Sequence, residues 1–106
     1  MNSKWISVCK TDELEMDDVL GVMVKDKRIA IYQIEAGFFA TDGLCSHEKA
    51  DMTNGYVEGT FIECPKHNAR FDIVTGEALR RPACIGIKTY PVKIENNEVY
   101  IDISEE

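Results

Sequence analysis

The 106-residue chain holds only two histidines, three prolines and one tryptophan, and several larger features are missing. No stretch of about eighteen apolar residues occurs, so no membrane-spanning helix is expected. The opening M-N-S-K-W-I-S-V-C-K has neither the apolar core of a signal peptide nor a twin arginine ahead of one. The expected location is therefore the cytoplasm, where thiols stay reduced and Cys/His clusters hold metal or do redox chemistry more often than they form disulfides. Basic residues are the minority: Lys+Arg number 12 against 19 Asp+Glu, a net charge of −7. That balance argues against nucleic acid and anionic membrane as partners and suits basic patches on other proteins, or solubility alone. There is no Pro/Ser-rich run, low-complexity tract or internal repeat to mark a linker. One domain spanning 1–106 is expected, long enough to bury most of its apolar surface without staples.

Both histidines lie in one stretch, Cys45 to His67, and each closely follows a cysteine: Cys45-Ser46-His47, then sixteen residues, then Cys64-Pro65-Lys66-His67. The pattern C-x-H-x₁₆-C-x₂-H points to a metal site with Cys45, His47, Cys64 and His67 as ligands. Two chemistries use that set. Structural zinc takes Cys₂His₂ tetrahedrally but usually pairs Cys with Cys and His with His in its short loops. A [2Fe–2S] cluster with two Cys on one iron and two His on the other needs each loop to reach both irons. One Cys and one His per loop fits the cluster better, and zinc stays open.

Outside this stretch the chain alternates with period two and reads as short strands. Lys4 to Cys9 is the first. Asp18 to Lys25 and Arg28 to Glu35 make a hairpin across Asp26-Lys27, with Ala30, Tyr32 and Ile34 on one face and Ile29 and Ile31 on the other. A turn at Ala36-Gly37 precedes Phe38-Phe39-Ala40. Near the end, Tyr90, Val92 and Ile94 alternate with Thr89, Pro91 and Lys93. Asn96-Asn97 then turns the chain into Val99, Ile101 and Ile103, because Asn tolerates the positive φ of such a turn. Pro91 cannot donate to a ladder, so an edge or irregularity is expected there. Asp12 to Asp18 is an acidic connector with room for one helical turn. The fold class is all-β, a small antiparallel sandwich or barrel. From Asp42 to Pro82 the chain is rich in Gly, Asn, Asp and Pro, and it reads as an inserted subdomain carrying the metal site.

The stretches W-I, D-V-L-G-V, F-A-T-D-G-L-C-S-H, G-Y-V-E-G, I-E-C-P-K-H, R-F-D, T-G-E-A-L and I-K-T-Y-P-V-K-I-E-N cover nearly the whole chain. Together they resemble the Rieske ferredoxin component of multicomponent aromatic-ring-hydroxylating dioxygenases, most closely the naphthalene dioxygenase type. The resemblance implies a Rieske fold of two or three small sheets with one [2Fe–2S] cluster at the tip of a subdomain. It implies Cys45 and Cys64 on the buried iron and His47 and His67 on the outer iron. It also implies a carrier of single electrons from a flavin-containing, NAD(P)H-dependent reductase to a terminal oxygenase. The chain has no flavin or nicotinamide motif and no room for a mononuclear-iron domain, so it is not expected to be an enzyme itself. The alternatives are a small Rieske subunit of another oxidoreductase, such as nitrite reductase, and a zinc-stabilised interaction module.

Departures from the family pattern carry further expectations. High-potential Rieske proteins have an extra cysteine in each loop, and Ala50 and Lys66 stand there here, so no bridging disulfide can form. Those proteins also place a Ser and a Tyr where this chain has Ala69 and Phe71, which lack hydroxyl donors. A potential toward the low end of the Rieske range, about −150 to +300 mV, follows. Asn68 replaces the usual Gly and can adopt the same positive φ. By the same resemblance, Pro82 belongs to a loop covering the cluster. Glu48, Lys49, Lys66, Arg80 and Arg81 lie in or beside the cluster loops and, with Pro82, are the candidates for a docking face. Cys9 and Cys84 are expected to be small buried hydrophobes, Trp5, Phe38, Phe39 and Phe71 core packing, and Gly43, Gly55, Gly59 and Gly76 turn residues.

Overall fold

The computed structural model describes residues 3–45, 50–65, 68–80 and 85–104. Strand β1 (Trp5–Lys10) leads through a 3-10 turn at Thr11–Glu13 into a meander of β2 (Asp18–Val24), β3 (Lys27–Ile34) and β4 (Gly37–Asp42). Four short strands follow: β5 (Tyr56–Glu58), β6 (Phe61–Glu63), β7 (Arg70–Asp72) and β8 (Ala78–Arg80). The chain returns through β9 (Thr89–Tyr90), β10 (Val92–Glu95) and β11 (Glu98–Asp102). These build three antiparallel sheets, ordered β1-β11-β10, β2-β3-β4-β9 and β5-β6-β7-β8. The all-β, antiparallel expectation holds, and no helix among the described residues is long and apolar enough to cross a membrane.

The β2–β3 turn falls one residue earlier than the sequence suggests. Lys25 and Asp26 occupy it with φ of 49° and 68°, and Val24 pairs with Lys27. Burial decides the register, because a one-residue slip would exchange the faces. The observed pairing sets Val22 opposite Ile29 and Leu20 opposite Ile31, and all four pack into one core. The next turn is likewise Glu35-Ala36 rather than Ala36-Gly37, since Ile34 pairs with Gly37.

Strand β3 is the wall between two cores. Ala30, Tyr32 and Ile34 face one, with Cys45, Met52, Ile62, Cys64, Phe71 and Ile73. Ile29 and Ile31 face the other, with Cys9, Leu14, Val24, Tyr90, Val99 and Ile101. All of these side chains are buried, and full burial of an Ile, Val, Met or Phe among them is worth about 1.5–3 kcal/mol against exposure.

Pro91 separates β9 from β10, and the chain changes sheets there. The carbonyl of Pro91 still accepts the Asp102 N–H at 3.1 Å, so the missing donor breaks the strand without breaking the ladder. The Asn96-Asn97 turn forms as expected, with φ of 52° and 65°. Ile94, at the edge of the first sheet, is 43% exposed and is not core. The sheet β5–β8 lies in sequence between β4 and β9, which pair directly at Ala40↔Tyr90. The segment that brings Cys45 and Cys64 together is thus held between two neighbouring strands of the second sheet.

A buried hydroxyl chain crosses β3 and β4. Thr41 donates its one hydroxyl proton to the Asp42 carbonyl at 2.8 Å, so at the 2.9 Å contact between Thr41 and Tyr32 the tyrosine must donate. Burial pushes the Tyr32 hydroxyl well above its ordinary range, and the Thr41 hydrogen bond only partly opposes this. Cys9 lies in the second core, far from any role in metal binding. Burial, aided by Glu13, pushes its thiol up to about 11 from 9.0. At pH 8 its thiolate population is about 100-fold smaller than in the unfolded chain. Site-resolved mass spectrometry should therefore find Cys9 slower, by on the order of 100-fold, to react with iodoacetamide in the native protein than in urea.

Candidate metal centre

Two loops of equal construction carry the cysteines. Cys45 follows Leu44, which forms an isolated antiparallel bridge with Asp51, and the Cys45 N–H donates to the Ala50 carbonyl at 2.7 Å. Cys64 follows Glu63, which pairs with Arg70, and the Cys64 N–H donates to the Ala69 carbonyl, also at 2.7 Å. Each loop is a cysteine, four residues and an alanine, closed by the same backbone bond. The spacing of the motif therefore becomes two matched loops standing at the ends of antiparallel pairs.

Both cysteines are almost fully enclosed, 2% and 1% exposed, in the core that also holds Met52, Ile62, Phe71 and Ile73. Sulfur tolerates such surroundings, and a pair of soft thiolates suits iron–sulfur or zinc binding. Asn68 has φ of 58°, the left-handed conformation expected for the residue replacing glycine. Ala69 and Phe71 are fully buried in the same core, and Ala50 packs against it. The Phe71 expectation of core packing is met, whereas Trp5 is only partly buried, its ring 4.6 Å from the Lys93 ammonium.

His47, Glu48, Lys49, Lys66, His67, Arg81, Pro82 and Cys84 lie outside the described residues. Among the described residues, no three His, Cys, Asp or Glu side chains form a metal site. Of the docking candidates, Arg80 is described. It is half exposed, with Nη1 3.9 Å from Glu63 Oε1, a carboxylate oxygen that also accepts from Arg70 Nε at 2.8 Å.

Sequence reasoning missed a second layer. Asp51 caps the 3-10 turn Met52–Asn54 by accepting the Thr53 N–H, and Arg28 reaches it from β3. Desolvation pushes the Asp51 carboxyl up, but hydrogen bonds from Thr53 and Arg28 outweigh it and leave the pKa lowered. Gly43 and Gly55 have no positive φ, so turn chemistry does not explain them. A Cβ at Gly55 would collide with the Glu63 carbonyl, and one at Gly43 would sit 2.8 Å from Arg28 Cγ. The signal available in the sequence was Asp51-Met52-Thr53, an Asx cap, and nothing local pointed to Arg28.

An all-β frame that encloses two cysteines at the ends of matched loops defines a small β protein with a buried pair of thiols suited to a metal. The Rieske [2Fe–2S] domain matches residues 4–91, and the chain belongs to that family. It is 51% identical over 104 residues to the naphthalene 1,2-dioxygenase system ferredoxin component of Pseudomonas putida, covering 98% of this chain and all of the relative. Among solved structures, the Sphingomonas yanoikuyae B1 ferredoxin superposes with a TM-score of 0.90 at 39% identity, covering 95% of this chain and all of that one. The ferredoxin fold also matches a chain in the complex of reduced oxygenase and oxidized ferredoxin in carbazole 1,9a-dioxygenase, TM-score 0.90 at 27% identity, over 99% and 98% of the two chains. The cofactor is accordingly one Rieske-type [2Fe–2S] cluster.

Proposed function

We propose that this chain is the one-electron carrier of an aromatic-ring-hydroxylating dioxygenase system. It takes electrons from an NAD(P)H-dependent flavin reductase and passes them to a terminal oxygenase in the cytoplasm, and it is not itself an enzyme. The observation that carries this reading is the pair of matched loops presenting buried Cys45 and Cys64 in a chain 51% identical to a dioxygenase ferredoxin component over nearly its whole length.

In this reading residues 1–106 form one domain, and 42–82 are its cluster-bearing part. Cys45 and Cys64 hold one iron, and His47 and His67 hold the other. When bound, the cluster supplies a reversible one-electron couple whose imidazole ligands raise its potential above that of four-Cys clusters. The protein's own contribution is to keep the two thiolates dry and their amides engaged within the loops. Glu48, Lys49, Lys66, Arg80, Arg81 and Pro82, which lie in or beside the two cysteine segments in sequence, are the docking residues of this reading. Contacts between electron carriers are small and transient, and a rim of mixed charge sets on-rate more than affinity.

The test is the electron paramagnetic resonance spectrum of the dithionite-reduced protein. A coupled Fe(III)/Fe(II) pair with histidines on one iron should give one unpaired spin, strong anisotropy and an average g below the free-electron value. A silent sample containing one zinc per chain overturns the reading in favour of a zinc-stabilised module. The pathway is tested separately by mixing the reduced chain with a naphthalene-type oxygenase in a stopped-flow instrument. Failure to reduce it, with the cluster intact, would point to a small subunit of another oxidoreductase such as nitrite reductase.

A further inference from the structure

The two cysteine loops are equal in length but unequal in support. The second stands on a regular hairpin, where β6 and β7 pair at Phe61↔Asp72, Ile62↔Phe71 and Glu63↔Arg70. The Arg70–Glu63 ion pair at 2.8 Å spans its base. The first loop ends in the single bridge Leu44↔Asp51, and beyond it the returning leg is a 3-10 turn rather than a strand.

Arg28 ties both legs of the first loop to the second sheet. Its carbonyl accepts the Gly43 N–H of the entering leg at 2.7 Å. Its Nη2 lies 3.1 Å from Asp51 Oδ2 and donates to Thr53 Oγ1 at 2.9 Å, both on the returning leg. The other Asp51 oxygen accepts from the Thr53 N–H and hydroxyl at 3.0 and 2.7 Å, and the Gly43 carbonyl accepts the Met52 N–H at 2.8 Å. The legs are thereby locked to each other as well as to β3.

Two glycines clear the path of this side chain. A Cβ at Gly21 would lie 2.6 Å from Arg28 Nη2, and one at Gly43 would lie 2.8 Å from its Cγ. Arg28 Nε is buried without a hydrogen-bond partner, a desolvation cost that a residue serving only to fill space would avoid. The Arg28–Asp51 pair remains about one-third exposed on each side, so it adds little to global stability. Its effect is local.

We infer that Arg28 is a positioning residue, clamping the Cys45 loop to the β2–β3–β4 sheet so that this loop holds the geometry the second loop obtains from its own hairpin. The inference rests on Cys45 being a cluster ligand. The experiment is amide hydrogen exchange on the purified, cluster-loaded chain, comparing wild type with Arg28→Met, together with loss of visible absorbance when a strong iron chelator is added.

In Arg28→Met the amides of Cys45, Met52 and Thr53 should exchange about tenfold faster or more, while those of Cys64 and of β6 and β7 stay unchanged. Cluster loss to the chelator should accelerate about tenfold or more. Arg28→Lys, which keeps a cation but on a shorter, less rigid side chain than the one whose Nη2 meets both Asp51 and Thr53, should fall between. Asp51→Asn keeps an acceptor for Thr53 and removes the charge, so it reports on the same clamp from the other side should Arg28→Met not fold. Equal acceleration at both loops, or none at the first, would overturn the inference. A wild-type protein with no cluster signal would fail the ligand reading instead, and the exchange contrast between the loops would still report on the clamp.

Discussion

Replacing Cys64 by serine is expected to leave the purified chain without a cluster. A serine hydroxyl stays protonated at neutral pH and is a hard oxygen donor, whereas iron in a sulfide cluster favours a thiolate. Cys64 is 1% exposed and shares its core with Ile62, Phe71 and Ile73, so no solvent can solvate an unbound hydroxyl there. The variant also loses the metal-binding energy, since metal binding couples to folding. Cys45→Ser should behave alike, because Cys45 occupies the same core and its loop closes by the same backbone bond. The control is Cys9→Ala. Cys9 lies in the second core, across the β3 wall, and its removal should leave the cluster spectrum intact. Iron content, visible absorbance and the reduced-state resonance signal check all three. A full signal from Cys64→Ser would remove that residue from the ligand set.

The second large effect concerns the potential. Ala69→Ser combined with Phe71→Tyr should raise the midpoint potential, on the order of 100 mV for the pair if each new donor favours the reduced cluster about tenfold. Both side chains are fully buried in the core that holds Cys45 and Cys64, and neither has a hydroxyl. Reduction adds negative charge to the cluster, and a donor in a low-dielectric core stabilises the reduced form more than the oxidised one. The outcome separates from simple packing damage. Hydroxyls that find no acceptor would lower stability by about 1–3 kcal/mol each and leave the potential where it was. Voltammetry and a thermal melt of the double variant distinguish these results, and a lowered stability with an unmoved potential would sink the explanation.

Much of the site was legible because its determinants are local. The spacing of Cys45, His47, Cys64 and His67 is a covalent fact, and binuclear ligation from two short loops restricts that spacing tightly. Asn68 and the Asn96-Asn97 pair could be assigned positive φ from side-chain chemistry alone. Pro91 announced a break because it has no N–H, and the alternation of β3 separated Ile29 and Ile31 from Ala30, Tyr32 and Ile34.

Other features depend on what each residue meets. Alternation gives two faces but not their destinations, and only the packing of the sheets shows both faces of β3 buried in separate cores. The β2–β3 turn at Lys25-Asp26 was misplaced by one residue because turn propensity is weak beside the burial of Leu20, Val22, Ile29 and Ile31. Gly43 looks like any turn glycine until the Arg28 stem is seen against it. Arg28 and Asp51 are twenty-three positions apart, and no local rule links them. The sequence by itself determined the all-β class and the Cys/His spacing that pointed to a metal centre, since these follow from residue chemistry at short range. The tertiary structure alone decided which side chains brace the first loop, because that depends on two sheet strands and a distant turn meeting in space.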